Sequence, residues 1–381
     1  MKHCNVIMFF EEVIILKSTG VIQNIEMVGG KKVDILIEKG VIKKIAAPNS
    51  IDGELLFNGE HSFISSGWID LHVHGFSDFS PYGDNIDDIG IKQGVTTIVD
   101  AGSCGANRID ELYYRAQSSK TNVFSFLNIS RIGLERIDEL SNLDWINVEA
   151  CHDAVHKYKD MIIGLKARIS SSVVKGNGIT PLQKAVEIGN DLKLPIMTHI
   201  GSAPPKIEDV IPLLRKGDII THFLNGKENN LFDNNGNPLN VLKDAISRGV
   251  NLDVGHGNAS FSFEVAKLAQ KHDIHFNTIS SDIYKKNRLE GPVFSLSNVL
   301  SKFINLGYSL EEVINAVTIN PAHIINKPYL SDFTEGQVAN LTIFDVMDKK
   351  VDLIDSDRKI LKGTKLIKER GVLANGAFIK L

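Results

Sequence analysis

The sequence predicts an α/β protein, a (β/α)8 TIM barrel with a smaller companion domain, and three observations support that reading. Eight short β-rich runs recur between residues 69 and 284, each followed by a polar or glycine-containing loop and then by a segment of helical periodicity. Histidine, lysine or aspartate falls near the C-terminal end of most runs, where a barrel of parallel strands collects its chemistry. The 381 residues also exceed one usual compact domain, so a second, smaller unit is expected.

The runs are Ile69 to Gly75, Thr96 to Gly102, Val123 to Ser130, Ile162 to Ile169, Pro195 to Gly201, Ile219 to Gly226, Val250 to Gly257 and Thr278 to Tyr284. Strand and helix in alternation argue for a parallel sheet, and eight strands in succession for one that closes on itself. Among the helical segments, Ser309-Leu310-Glu311-Glu312 reads as a capping box opening a helix to Thr318, which Asn320-Pro321 then breaks. The barrel is assigned to residues 67–332. Residues 1–66 and 333–381 read as β-rich, with alternation over Val33 to Glu38 and turns at Gly29-Gly30 and Asn375-Gly376, and these two flanks are expected to meet in one small domain. Lys227 to Pro238 is a long polar loop, either a cover for a pocket mouth or plain surface.

Composition narrows the function. A hydrophobic content of 43% and a charged content of 23% are ordinary for a globular protein. The net charge of −4 offers no basic field for a phosphate backbone, so nucleic acid is not an expected partner. Cys4, Cys104 and Cys151 lie far apart, without the paired spacing of a disulfide framework or zinc ribbon, which fits a reducing compartment. The apolar stretch Val6 to Leu16 is interrupted by Glu11 and Glu12, unlike a signal peptide, and no other stretch is long enough to span a bilayer. The expected setting is cytoplasmic, with no membrane partner and a small-molecule substrate; a homo-oligomer is left open.

The chemistry lies in the polar residues of the runs. His72 and His74 stand two apart on one strand, so both side chains point to the same side and can reach one ion together. Alone, such a pair is equally at home in an ordinary strand. The ensemble is what matters: His199, His222 and Asp282 end the fifth, sixth and eighth runs on the same barrel face. Imidazole and carboxylate together suit zinc or a similar divalent ion. Lys166 falls in the apolar strand Ile162-Ile163-Gly164-Leu165-Lys166, where an uncompensated ammonium would cost several kcal/mol. Either it snorkels to the barrel mouth, or it reacts with CO2 to become a carbamate that bridges two ions; opposite four histidines and an aspartate, the carbamate is preferred. Arg168, two residues on, points the same way and would clamp a substrate carboxylate or pair with a loop acid. His256, ending the seventh run, is a candidate for substrate contact or proton relay, with a structural role as the alternative. Cys104 either lines the pocket or is an inert buried residue.

The strings FISSGWIDLHVHG, GLKAR, MTHIG, THFLNG, SSD, TINPA and EGQVANLTIFD together resemble the amidohydrolase superfamily, in its binuclear branch of dihydroorotases, hydantoinases and deacetylase-type proteins. The likeness spans nearly the whole chain. It implies that His72, His74 and Asp282 hold one ion, that His199 and His222 hold the other, and that carboxylated Lys166 bridges them. It further implies that the companion domain is a β-sandwich and that the ions are commonly zinc. His74 is followed by Gly75-Phe76-Ser77-Asp78, whereas dihydroorotases carry an arginine in HxHLR; DAGSCG, GLKARIS and DVGHG look closer to the deacetylase-like group.

The expected reaction is hydrolysis of an amide or ester of a small acylated substrate by a hydroxide shared between the ions, with Asp282 as general base. A cyclic amide hydrolase is the runner-up. A mononuclear deaminase would have no use for Lys166, and a non-catalytic scaffold would not be expected to keep all six ligands.

Overall fold

A computed structural model describes residues 18–381. Cys4, the stretch from Val6 to Leu16 and the start of the N-terminal flank lie outside the described residues.

The chain opens with β1 (Gly20–Met27), β2 (Lys32–Glu38), β3 (Val41–Ala46), β4 (Leu55–Asn58) and β5 (Phe63–Ser66). It continues with β6 (Trp68–Val73), β7 (Val95–Ala101), β8 (Asn122–Asn128), β9 (Ile162–Ile169), β10 (Ile196–Ile200), β11 (Ile219–Thr221) and β12 (Asn251–Asp253). It ends with β13 (Leu341–Ile354), β14 (Ile360–Ala374) and β15 (Ala377–Lys380).

β6 through β12 pair in chain order, all parallel, in one sheet with helices between the strands. Every residue of β6 and β7 is buried, as expected where both faces of a parallel sheet are covered. The eighth predicted run, Thr278 to Tyr284, is not a regular strand. It bridges the two edges of the sheet instead, pairing Thr278 with Asp253 of β12 and Ile283 with Val73 of β6. The Asp282 amide donates to the His72 carbonyl at 2.7 Å and the His74 amide to the Ile283 carbonyl at 3.0 Å, so the sheet curls until its edges meet. Asp282 sits in the left-handed region at φ 51°, which interrupts the extended run where its side chain is needed.

Inside the curl, Ile69, Leu71, Val99, Phe124, Phe126, Met197 and Ile219 form an apolar cluster, joined by Ala322, Ile325 and Leu330 from the segment after the last barrel helices. On β9, Leu165, Ala167 and Ile169 turn toward the helical layer, and Lys166 and Arg168 turn to the interior pocket. The Ser309 capping box forms with both reciprocal bonds and opens the helix Leu310–Asn315. That helix ends before Thr318. Asn320-Pro321 lies within the next helix, Ile319–Ile324, whose first turn tolerates a residue without an N–H. Among the described residues, no helix is long and apolar enough to cross a membrane.

The other strands form an eight-stranded sheet in the order β15-β14-β13-β5-β1-β2-β3, with β4 added to β1. The two flanks meet where β13 pairs antiparallel with β5, Leu341 opposite Ser66 and Ile343 opposite Ile64. Asn375 and Gly376, both at positive φ, make the tight hairpin between β14 and β15. β2 is buried at most positions, where its sequence suggested clean alternation. Phe344 of β13 is wholly buried against Phe63 at 5.8 Å and Trp68 at 5.3 Å, and so locks this sheet to the first barrel strand. Phe344→Ala is expected to lower stability by about 3–5 kcal/mol, read as a shift of the urea midpoint, while Lys362→Ala at an exposed position should leave it within about 0.5 kcal/mol.

Candidate metal centre

The side chains gather at the C-terminal ends of the curled strands, around a pocket of about 220 Å3 lined by His72, His74, Lys166, Arg168, His199 and Asp282 among others. His72 and His74 extend from the end of β6 and just beyond it, and their Nε2 atoms lie 3.5 and 3.3 Å from Asp282 Oδ1. Among the described residues, these three form a group whose donor atoms all lie within 4.8 Å of one another, the arrangement needed to hold a metal ion. His199, from β10, and His222, just past β11, stack edge to face with ring centroids 4.4 Å apart, and His222 lies 5.0 Å from His72. The structure thus brings together all six residues predicted as ligands. His222 and Asp282 both hold positive φ, of 71° and 51°, which turns the chain out of the extended run at the two positions.

The hydrogen bonds assign the histidine tautomers. Asp253 accepts from the hydroxyls of Thr221, Thr278 and Ser280 at 2.7 to 2.8 Å. Having given its one proton to Asp253, Thr221 Oγ1 can only accept from His72 Nδ1, 2.8 Å away. The same reasoning applies one strand over: Ser103 Oγ donates to Asp100 at 2.7 Å and therefore accepts from His74 Nδ1 at 2.9 Å. His222 Nδ1 donates to the Gly255 carbonyl at 2.6 Å, and its Nε2 is buried with no hydrogen-bond partner among the described residues. All three rings therefore present a bare Nε2 lone pair to the same space. Burial pushes the pKa of His72, His199 and His222 well below the ordinary value, so the rings are neutral and able to bind a cation. Asp282 Oδ1 sits against the unprotonated Nε2 atoms of His72 and His74, an apposition of lone pairs that a shared cation would satisfy.

Lys166 is 1% exposed, with Nζ 3.2 Å from His72 Nε2 and 3.3 Å from Met197 Sδ. It does not snorkel. Burial brings its pKa down to about 7 against the pull of Asp282. Arg168 lines the pocket, but its Nη1 is held 3.1 and 3.2 Å from the two oxygens of the wholly buried Glu139, and its guanidinium lies 5.5 Å from the Tyr82 ring centre. Of the two alternatives for this arginine, the loop acid is the one the structure displays.

Two predicted contacts are not at the pocket. His256 is wholly buried behind its own loop, with Nε2 2.8 Å from Lys302 Nζ and its ring stacked on Phe261 at 4.6 Å. In DVGHG it is the glycines that face the site. A Cβ at Gly255 would collide with Thr221 Oγ1 and His222 Nδ1, and one at Gly257 with Asp282 Oδ2. Cys104 is fully buried in the apolar layer, where burial raises its thiol pKa well above the usual value, so it is inert packing. Of the loop from Lys227 to Pro238, Lys227 reaches the pocket lining.

Sequence reasoning missed Asp253 and Asp100, which orient the histidines through hydroxyls. It also missed Asp70, whose carboxylate takes the Ser281 amide at 2.9 Å and the Ser281 hydroxyl, and is pushed up to about 7 by burial. The available signal was the one used for Lys166, an ionisable residue inside an apolar strand.

No family model matches the chain. A curated protein of Enterococcus faecalis named deacetylase is 40% identical over 342 residues, covering 88% of this chain and 92% of that one. The chain belongs to the amidohydrolase superfamily. Among solved structures of the superfamily, one described as an adenine deaminase superposes with a TM-score of 0.91 at 37% identity, over 95% of this chain and 99% of that one. One described as a dihydroorotase gives a TM-score of 0.87 at 30% identity, with the same coverage. As a member of the superfamily, the chain is a hydrolase.

The hydroxyl relays can be tested apart from turnover. Thr221→Val and Ser103→Ala each remove the acceptor that holds a histidine Nδ1 proton, and each is expected to weaken zinc binding by about 10–100-fold in competition with a chromogenic chelator. Unchanged affinity in both would mean the rings are oriented by packing alone.

Proposed function

We propose that this chain is a binuclear metal-dependent hydrolase that cleaves the amide or ester bond of a small, carboxylate-bearing acylated substrate, in the manner of a deacetylase. The observation that carries the reading is a buried primary amine, Lys166, set among bare imidazole nitrogens and one carboxylate. Such an amine is out of place as an ammonium and well placed as a nucleophile toward CO2. Its nitrogen lone pair forms the N–C bond, one proton leaves, and the product is an anionic oxygen donor. In this reading His72, His74 and Asp282 would hold one zinc ion, His199 and His222 would hold the other, and carboxylated Lys166 would supply the ligand shared between them. The unpartnered Nε2 of His222 fits such an occupant.

Bound divalent ions supply Lewis acidity to the carbonyl and to the attacking water. The chain's own groups do the rest. Asp282 Oδ takes the proton of the water and returns it to the leaving nitrogen or oxygen. The Thr221–Asp253 and Ser103–Asp100 pairs keep His72 and His74 in one tautomer throughout. Tyr82, Tyr284 and the serines of the pocket wall surround the acyl substrate. We assign this site to a (β/α)8 barrel of residues 67–332, and residues 1–66 with 333–381 to a β-sandwich. A cytoplasmic setting suits the two buried free thiols, Cys104 and Cys151.

The name of the Enterococcus faecalis relative supports an open acyl substrate, and Gly75-Phe76 in place of the dihydroorotase Leu-Arg argues the same way. The dihydroorotase likeness keeps a cyclic amide as the second reading. Protein supplied with zinc and bicarbonate should cleave N-acyl amino acids or acetylated hydroxy acids in preference to dihydroorotate, hydantoin and adenine. Cleavage of rings alone would move the chain to the cyclic amidohydrolases, and ammonia release from adenine to the deaminases. Asp282→Asn should keep the fold and lower kcat by about 10²–10⁴-fold. Lys166→Ala should bind fewer zinc ions per chain by elemental analysis and lose the bicarbonate requirement for reconstitution; full zinc content in that variant would remove the carbamate from the scheme.

A further inference from the structure

If the substrate carries a carboxylate, a cationic side chain in the pocket is the natural group to receive it, and the sequence alone pointed to Arg168. Arg168 is already engaged: its Nη1 contacts both oxygens of Glu139, a carboxylate with no exposure to solvent. Its Nη1 is thereby fixed on Glu139, and turning the guanidinium fork as a whole toward a substrate would strand a buried charge. Two other cationic side chains line the pocket. Lys166 is committed beside His72, which leaves Lys227.

Lys227 is half-buried, lines the same pocket, and forms no ion pair among the described residues. Its backbone is pinned to the metal centre through one asparagine. Asn225 Nδ2 donates to the carbonyl of His222 at 2.8 Å, and Asn225 Oδ1 accepts from the Lys227 amide at 3.1 Å. Asn230 Nδ2 holds the Lys227 carbonyl at 2.7 Å, and Asn229 Nδ2 ties the same loop to the Gly201 carbonyl at 2.8 Å, just past His199. The loop is therefore a fixed arm between two of the histidines. A half-buried ammonium with no ion-pair partner among the described residues, on a backbone fixed beside His222 and drawn only by the more distant Asp282, is a receptor awaiting an anion.

We propose that Lys227 is the specificity-determining residue that binds the substrate carboxylate, and that Arg168 acts with Glu139 as a fixed wall of the pocket. This assignment rests on the hydrolase reading above. With an N-acyl amino acid, Lys227→Met should raise KM by about 10- to 100-fold with kcat little changed, and the corresponding neutral N-acyl amino acid amide should be handled alike by both proteins. Lys227→Arg should recover much of the lost affinity, and zinc content and melting temperature should match the parent in both variants.

A second measurement does not depend on turnover. Levulinate is a ketone isostere of N-acetylglycine with no bond to hydrolyse, and levulinamide is its neutral partner. Calorimetry on the zinc-loaded protein should show levulinate bound more tightly than levulinamide, with the preference erased in Lys227→Met. If the parent cleaves none of the acylated acids yet shows this preference, the reaction is misassigned and Lys227 still binds the carboxylate. If the preference is absent in the parent or survives in Lys227→Met, the assignment to Lys227 is wrong.

Discussion

The structure of the site depends on one constraint: a primary amine and several imidazoles are buried together at the mouth of a parallel sheet with a single half-buried carboxylate among them. Lys166 cannot escape to solvent, because its strand runs with Leu165 and Ala167 packed outward and its Nζ turned in toward His72. Everything nearby is arranged to keep that cluster neutral or compensated. Burial suppresses protonation of His72, His199 and His222, and Asp282 Oδ1 sits against the bare Nε2 atoms of His72 and His74. A set of neutral nitrogens and one carboxylate, all pointing inward, is stable in the folded protein as a binding site and makes little sense as packing.

Around that cluster lies a second layer that decides which atom each histidine offers. An imidazole has two nitrogens, and only the one left bare can bind a cation. Asp253 and Asp100 settle this through Thr221 and Ser103, since a hydroxyl that donates to a carboxylate must accept from the ring. The carboxylates come from different strands than the histidines they serve: Asp253 from β12 acts on His72 of β6 through β11, and Asp100 of β7 acts on His74. The curl of the sheet is therefore part of the chemistry, because only a sheet whose edges meet places β12 within reach of β6.

The ends of the chain contribute indirectly. The β5–β13 pairing and the Phe63–Phe344–Trp68 stack anchor the strand that carries both leading histidines, while the Ser356 hydroxyl contacts the carbonyls of His256 and Gly257 behind Asp282. The small sheet thus braces the centre from two sides without entering it.

Much was legible in the sequence itself. The repeated runs, most with a polar residue near the C-terminal end, showed the strand order and the face that carries the chemistry, because burial of both faces forces parallel strands to be apolar except where function requires otherwise. The same rule exposed His72, His74, Lys166, His199, His222 and Asp282. What the sequence could not decide was partnership. His256 and Cys104 satisfy the same positional rule, yet the first turns toward Lys302 and the second into the apolar layer, and nothing in their neighbours along the chain records this. Arg168 and Lys227 are both cations in line with the pocket, and only the tertiary structure shows that Glu139, some thirty residues before the arginine in the chain, has already taken one of them. Periodicity reports which way a side chain faces, because the strand repeat is local. Which group it meets there depends on residues brought together from distant strands, and that only the closed sheet determined.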